Sequence, residues 1–211
     1  MLVTIFSYKK VHARNVDWKN NKALYFADIE KSPNSVRLLA FCGMTLVPES
    51  DKILDSISKV KNIKLALNYF RRAYSIYPKY VPMYQDWGGA YFRLNNIDSA
   101  EWTWNQLKKL KPNSKFIPLN DDLIAKFRYN ALCIEFQQEL PNNNILKLLA
   151  IQKKAISYFD KAPDSWAVLG KLFMLDHKND SAAWAFKKCL VLDPSNSEAQ
   201  EYLPQLLNRK K

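Results

Sequence analysis

Apolar residues recur along this chain at three- and four-residue steps, the period of a helix with one buried face. The clearest run follows Ser165: Trp166, Leu169, Gly170 and Phe173, then Ala182, Phe186, Cys189 and Pro194. The run after Met83 has the same internal spacings: Tyr84, Trp87, Gly88 and Tyr91, then Ala100, Trp104, Leu107 and Pro112. In each run the first four positions predict one helix and the next three a second. Between them, Asn95-Asn96-Ile97-Asp98 and His177-Lys178-Asn179-Asp180 read as tight turns. A third copy of the second half stands at Ala66, Phe70, Ala73 and Pro78. Its first half lies upstream at Leu39, Cys42, Gly43 and Leu46, displaced by an insertion over 47–62 that is either a lid or a longer hairpin. A divergent unit spans 121–138 and 144–159. There Phe127, Asn130, Ala131 and Ile134 fill the first-helix positions loosely, and Leu148 and Ala155 are the best second-helix matches. Pro33-Asn34-Ser35, Pro112-Asn113-Ser114 and Pro194-Ser195-Asn196 each stop one helix and offer caps for the next.

Packing explains the spacing. Two helices approach closely only where a side chain is small, which the Gly and Ala positions provide, and aromatic residues fill the volume between neighbours. Only four glycines occur in 211 residues, and three of them (Gly43, Gly88, Gly170) share one position of the pattern. So few glycines also exclude a turn-rich β-sandwich or several Gly-rich phosphate loops. The packing set of the repeat is thus Gly43, Ala66, Phe70, Tyr84, Trp87, Gly88, Tyr91, Ala100, Trp104, Trp166, Leu169, Gly170, Phe173, Ala182 and Phe186.

On these residues the chain resembles the tetratricopeptide repeat (TPR) family. The resemblance implies an all-α helix–turn–helix solenoid, a right-handed superhelix of about four hairpins at 33–78, 80–112, 119–162 and 163–194 within a domain of 19–211. A C-terminal capping helix is expected over 196–207, with Pro204 kinking or shortening it. One unit cannot bury its apolar face alone, so stacking makes the core.

The formal net charge is +12, from 32 Lys and Arg against 20 Asp and Glu. It raises nucleic acid or an anionic membrane as partners. The aromatic residues sit mostly at core positions rather than as base-stacking platforms, so nucleic acid is not the expected partner. Arg71-Arg72, Lys153-Lys154 and Lys187-Lys188 stand at equivalent places in three second helices and read as a solvated outer face. The positions of Trp18, Trp102 and Trp184 are not assigned by the repeat.

Chemistry-bearing residues are sparse. Cys42, Cys133 and Cys189 form no CxxC and fall at apolar positions, so they read as three small buried hydrophobes. His177 lies in a polar turn and reads as solvated. Asp121-Asp122 are expected to cap the helix that follows. No hydrolase, zinc, nucleotide or dinucleotide motif is present. No catalytic residue, metal ligand or cofactor is assigned.

The resemblance implies that first helices line a groove. Its register projects Arg37, Ala40 and Met44 in the first unit, and Gln85, Gly89, Phe92 and Arg93 in the second. It projects Arg128 and Leu132 in the divergent unit, and Lys171 and Met174 in the last. One cation per unit suits an extended acidic peptide. The Lys-and-Asn pattern of chaperone-tail-binding TPR proteins is missing.

A second resemblance covers 14–35. Arg14, Asn15, Trp18, Lys19, Asn21, Leu24, Pro33, Asn34 and Ser35 resemble the membrane-to-repeat junction of transmembrane-and-TPR O-mannosyltransferase-type glycosyltransferases and their bacterial relatives. It implies that the apolar stretch 1–8 is the stub of a membrane helix, with Lys9, Lys10 and Arg14 at headgroup level. The segment 1–18 is then a junction rather than part of the repeats. That family's repeats lie outside the cytoplasm, which implies the bacterial periplasm, whereas a basic junction favours the cytoplasmic side. The expected function is a protein- or peptide-interaction module in a membrane-associated assembly. The alternatives are the non-catalytic TPR portion of a glycosyltransferase and an RNA-binding helical repeat.

Overall fold

The computed structural model describes residues 19–208. The apolar stretch 1–8 and the junction residues up to Trp18 lie outside them. Among the described residues the regular elements are all helical: α1 (Asn21–Lys31), α2 (Val36–Ser50), α3 (Ser56–Ile76), α4 (Tyr84–Arg93), α5 (Ile97–Leu110), α6 (Ile117–Glu139), α7 (Ile145–Tyr158), α8 (Pro163–Leu175), α9 (Asn179–Leu192) and α10 (Ser197–Asn208), with short 3-10 turns at Val81–Met83 and Leu140–Asn142. No described helix is long and apolar enough to cross a membrane.

The chain forms two compact units, one reaching Asn120 and one starting at Asp121. In the first, α2 pairs with α3 and α4 with α5. Asn20, Ser35, Asp55 and Asn96 cap α1, α2, α3 and α5 by accepting backbone N–H bonds. Between α4 and α5 the chain reverses through Asn95 at φ 58°, a left-handed conformation that asparagine tolerates. The core joins Leu39, Cys42, Leu46, Ile63, Ala66, Phe70, Tyr84 and Trp87. The insertion over 47–62 is a longer hairpin: α2 runs on to Ser50, α3 starts at Ser56, and Asn62 donates its side-chain amide to the Leu46 carbonyl at 2.8 Å.

In the second unit α8 pairs with α9, and α10 packs along α9. Its core joins Leu132, Phe136, Leu148, Leu149, Leu169, Phe173, Phe186 and Leu206. His177 makes the α8–α9 reversal at φ 57° and is exposed. Pro204 does not end α10, which continues to Asn208. The carbonyl it frees, that of Gln200, belongs to an exposed residue that water reaches.

Glycine and aromatic meet as a wedge in three hairpins. A methyl group on Gly43 would lie 2.7 Å from Phe70, one on Gly88 2.2 Å from Trp104, and one on Gly170 2.8 Å from Phe186. None of these glycines has a positive φ, so the requirement is space. This small-under-large contact between paired helices is the close approach that the glycine and aromatic spacing implied.

The divergent hairpin departs from the sequence reading. α6 starts at Ile117, with Pro118 in its first turn, where a missing N–H costs nothing. Asp121 and Asp122 therefore lie inside the helix instead of capping it, and Asp122 pairs with Lys126 at 2.9 Å. Ile134, Asn130 and Ala131 are exposed, so they are not the inner positions, and Leu132 is buried rather than facing a groove. The inner set is Tyr129, Leu132, Cys133 and Phe136, two residues further on. Its aromatic-x2-apolar-small-x2-aromatic spacing is that of Tyr84, Trp87, Gly88 and Tyr91.

Candidate functional site

The shifted register explains a pocket in the second unit. In α3, α5 and α9 an aromatic stands four residues after the small alanine: Ala66 to Phe70, Ala100 to Trp104, Ala182 to Phe186. In α7 the equivalent step from Leu148 reaches Gln152. The small position opposite is Cys133 instead of glycine. The wedge is missing here, and an open cavity of about 150 Å³ takes its place. Tyr129, Cys133, Phe136 and Gln137 of α6 line it at helical spacing, with Gln152 of α7 and Asp164, Ser165 and Val168 of α8. A space of this size holds one side chain; small-molecule sites generally occupy about 300–1,000 Å³.

Hydrogen bonds fix the polar part of the lining. Gln152 donates its side-chain amide to the Ser165 carbonyl at 2.8 Å. The Tyr129 and Ser165 hydroxyls are 2.6 Å apart. Burial raises the Tyr129 phenol above its usual range, so it is neutral at physiological pH. The first-helix aromatics of the neighbouring hairpins point elsewhere. Tyr84 donates its hydroxyl to the Pro78 carbonyl, and Trp166 donates Nε1 to the Asp160 carbonyl at 2.7 Å, each six residues back. Tyr129 instead reaches forward to α8. Cys133 is half-buried, not fully buried as the sequence suggested, whereas Cys42 and Cys189 are buried. Burial pushes the Cys42 thiol up to about 11 and raises Cys189 as well. Both are therefore inert packing groups.

The residues projected for a groove divide between the units. In the first, the Arg37 guanidinium lies 5.3 Å above the Phe41 ring. Met44 is half-buried against the core. Gln85 and Asn120 exchange two amide hydrogen bonds at 3.2 and 2.8 Å. Phe92 packs its ring 5.8 Å from that of Trp104. Arg93 is engaged within its own unit: Nε and Nη2 donate to the two Asp51 oxygens at 2.9 and 2.7 Å, and Nη1 donates to the Gly89 carbonyl at 3.1 Å. The pairing holds the Asp51 carboxyl below its usual range. In the second unit Lys171 pairs with Glu198 of α10 at 2.7 Å, Met174 packs against the core, and Arg128 is half-buried on α6.

The pocket-lining residues were not singled out in the sequence as a site. The signal that finds them is Gln152 at a position where every other hairpin has Phe or Trp. Among the described residues no three His, Cys, Asp or Glu side chains converge on a metal-sized space.

No protein-family model and no curated protein matches the chain. Among solved structures it is similar to TTC0263, a thermophilic TPR protein of Thermus thermophilus, at 15% identity over 94% of this chain and 96% of that one, with a TM-score of 0.39. It is similar to YrrB, described as a TPR protein with an unusual peptide-binding site, at 12% identity over 88% and 83% with a TM-score of 0.35. It is also similar to the MamA protein, at 15% identity over 80% and 82% with a TM-score of 0.35.

Proposed function

We propose that the chain is a peptide-interaction module whose second unit anchors one side chain of an extended segment in the pocket between α6 and α8. The observation that carries this reading is the replaced wedge: Gln152 and Cys133 stand where the other hairpins have an aromatic on glycine. The lining suits a peptide. Phe136, Val168 and Cys133 offer an apolar floor, and the Gln137 and Gln152 amides can donate to and accept from a main chain. Such a pocket takes an aliphatic side chain of moderate size. An acidic ligand gains less than the sequence suggested, because Arg93 and Lys171 already hold Asp51 and Glu198. An incoming carboxylate would have to displace them.

A phage-displayed library of random peptides, selected on the full chain, tests the proposal. Selected peptides should share one aliphatic position and should lose binding to Cys133→Phe, whose ring would fill the pocket, while circular dichroism shows the fold kept. Recovery of no consensus, or undiminished binding to Cys133→Phe, refutes it.

The segment 14–35 supports a narrower reading, in which the module is the non-catalytic part of a membrane glycosyltransferase assembly. An upstream open reading frame that encodes successive apolar spans favours it, and a frame closed by a stop codon counts against it.

A further inference from the structure

The cations are segregated by helix. The four second helices, α3, α5, α7 and α9, carry twelve Lys and Arg against three Asp and Glu. The four first helices, α2, α4, α6 and α8, carry five against seven. The excess positive charge of the hairpins therefore stands on second helices, carried by α3, α7 and α9, while α5 is balanced.

In the second unit this basic helix also exposes apolar side chains. On α9, Trp184, Lys188 and Val191 follow at steps of four and three, one stripe of a helix, with Lys187 and Leu192 beside them. Val191 is 78% exposed, Trp184 48% and Leu192 43%. The inner side of Trp184 is held edge-on against Trp166, with ring centres 5.2 Å apart, so the indole is fixed with its other side open to solvent. The neighbouring second helix repeats the combination: α7 has Lys147, Lys153 and Lys154 and no acid, with Leu146 68% exposed. In the first unit Trp102 of α5 occupies the same position as Trp184, two residues after the small alanine, and is also exposed.

We infer that the outer stripe of α9 (Trp184, Lys187, Lys188, Val191, Leu192) docks on an anionic lipid surface. Lysines attract the charged headgroups, the indole settles at the interface, and Val191 and Leu192 enter its apolar edge. Nucleic acid fits less well. Phosphate rewards the lysines equally, but nothing in a nucleic-acid backbone rewards an exposed valine and leucine between them. The surface is distinct from the pocket lined by α6, α7 and α8, so the inference stands apart from the proposed peptide site.

Co-sedimentation of the full chain with vesicles tests it, using phosphatidylcholine alone and phosphatidylcholine mixed with phosphatidylglycerol, at low and high salt. The chain should bind the mixed vesicles only, and high salt should release it. Lys187→Gln with Lys188→Gln should weaken partitioning about thirtyfold. Lys52→Gln with Lys115→Gln, the same charge change in exposed loops, should have a far smaller effect. Val191→Ser should weaken binding several-fold with charge unchanged. Absence of binding to the mixed vesicles, equal losses for the two lysine pairs, or full binding by Val191→Ser overturns the inference. So does salt-sensitive binding to single-stranded RNA with none to vesicles.

Discussion

Gly88 and Gly89 are adjacent in α4, yet alanine should act on them with opposite sign. A methyl group on Gly88 would stand 2.2 Å from Trp104 Nε1 and 2.4 Å from Cδ1. The indole has to retreat by about 1 Å to restore ordinary contact. Trp104 is buried, lies tilted against the Phe92 ring, and donates Nε1 to the Gln85 carbonyl at 3.1 Å. Retreat strains the core by about 1–3 kcal/mol and breaks a buried hydrogen bond worth about 1 kcal/mol or more. Against this, alanine gains about 1 kcal/mol of helix propensity. The net loss is about 1–3 kcal/mol, or a melting point lower by about 2–12 °C. At Gly89 a methyl group meets only Arg93 Nη1, at 3.1 Å, and the guanidinium has to give by only a few tenths of an ångström, a shift its bonds to Asp51 and the Gly89 carbonyl can follow. The propensity gain survives there, so Gly89→Ala should be stabilised by up to about 1 kcal/mol. Thermal unfolding followed by circular dichroism measures both. If Gly88→Ala melts as high as the parent, or both variants shift together, the wedge is not what requires glycine.

Asn120 and Gln85 satisfy each other, and Asn120 is only 2% exposed. Asn120→Leu should cost about 1–3 kcal/mol in urea unfolding by leaving the Gln85 amide unpaired, and adding Gln85→Met should recover most of it. A thiol reagent should label Cys133 in the native chain but reach Cys42 and Cys189 only on unfolding, which peptide mapping reads directly. The Cys42 thiol is raised from 9.0 to about 11, so above pH 9 the unfolded chain releases a proton that the folded chain keeps. Stability should therefore fall as pH rises from about 9 to 11, with a shallower fall in Cys42→Ala.

Periodicity makes the regular hairpins legible. A glycine and an aromatic in fixed register mean one close approach, and the contacts at Gly88–Trp104 and Gly170–Phe186 bear that out. The divergent hairpin is not legible in this way, because its small residue is cysteine and its wedge aromatic is glutamine. Without those markers the pattern puts Phe127 where Tyr129 belongs, two residues out of register. Pro118 also carries the start of α6, and its position in a first turn outweighs the acidic pair that follows. The pocket is hidden for the same reason: it exists because a consensus contact is absent. Ion pairs such as Arg93–Asp51 are not visible either, since they join residues forty-two apart through a loop.

Charge segregation changes what each face can recognise. A cation per first helix implied electrostatic capture of an acidic segment. On the first helices acids outnumber bases, and Arg93 and Lys171 are neutralised within their own units. Recognition at the pocket then rests on shape and hydrogen bonding, which salt barely screens. Docking through Lys187 and Lys188 rests on attraction between exposed charges, which salt screens within about 10 Å at ordinary ionic strength. Raising the salt should therefore separate the two activities, releasing the chain from anionic vesicles while leaving a peptide in the pocket. A chain that lost both together would have one charged site in place of two chemically different faces.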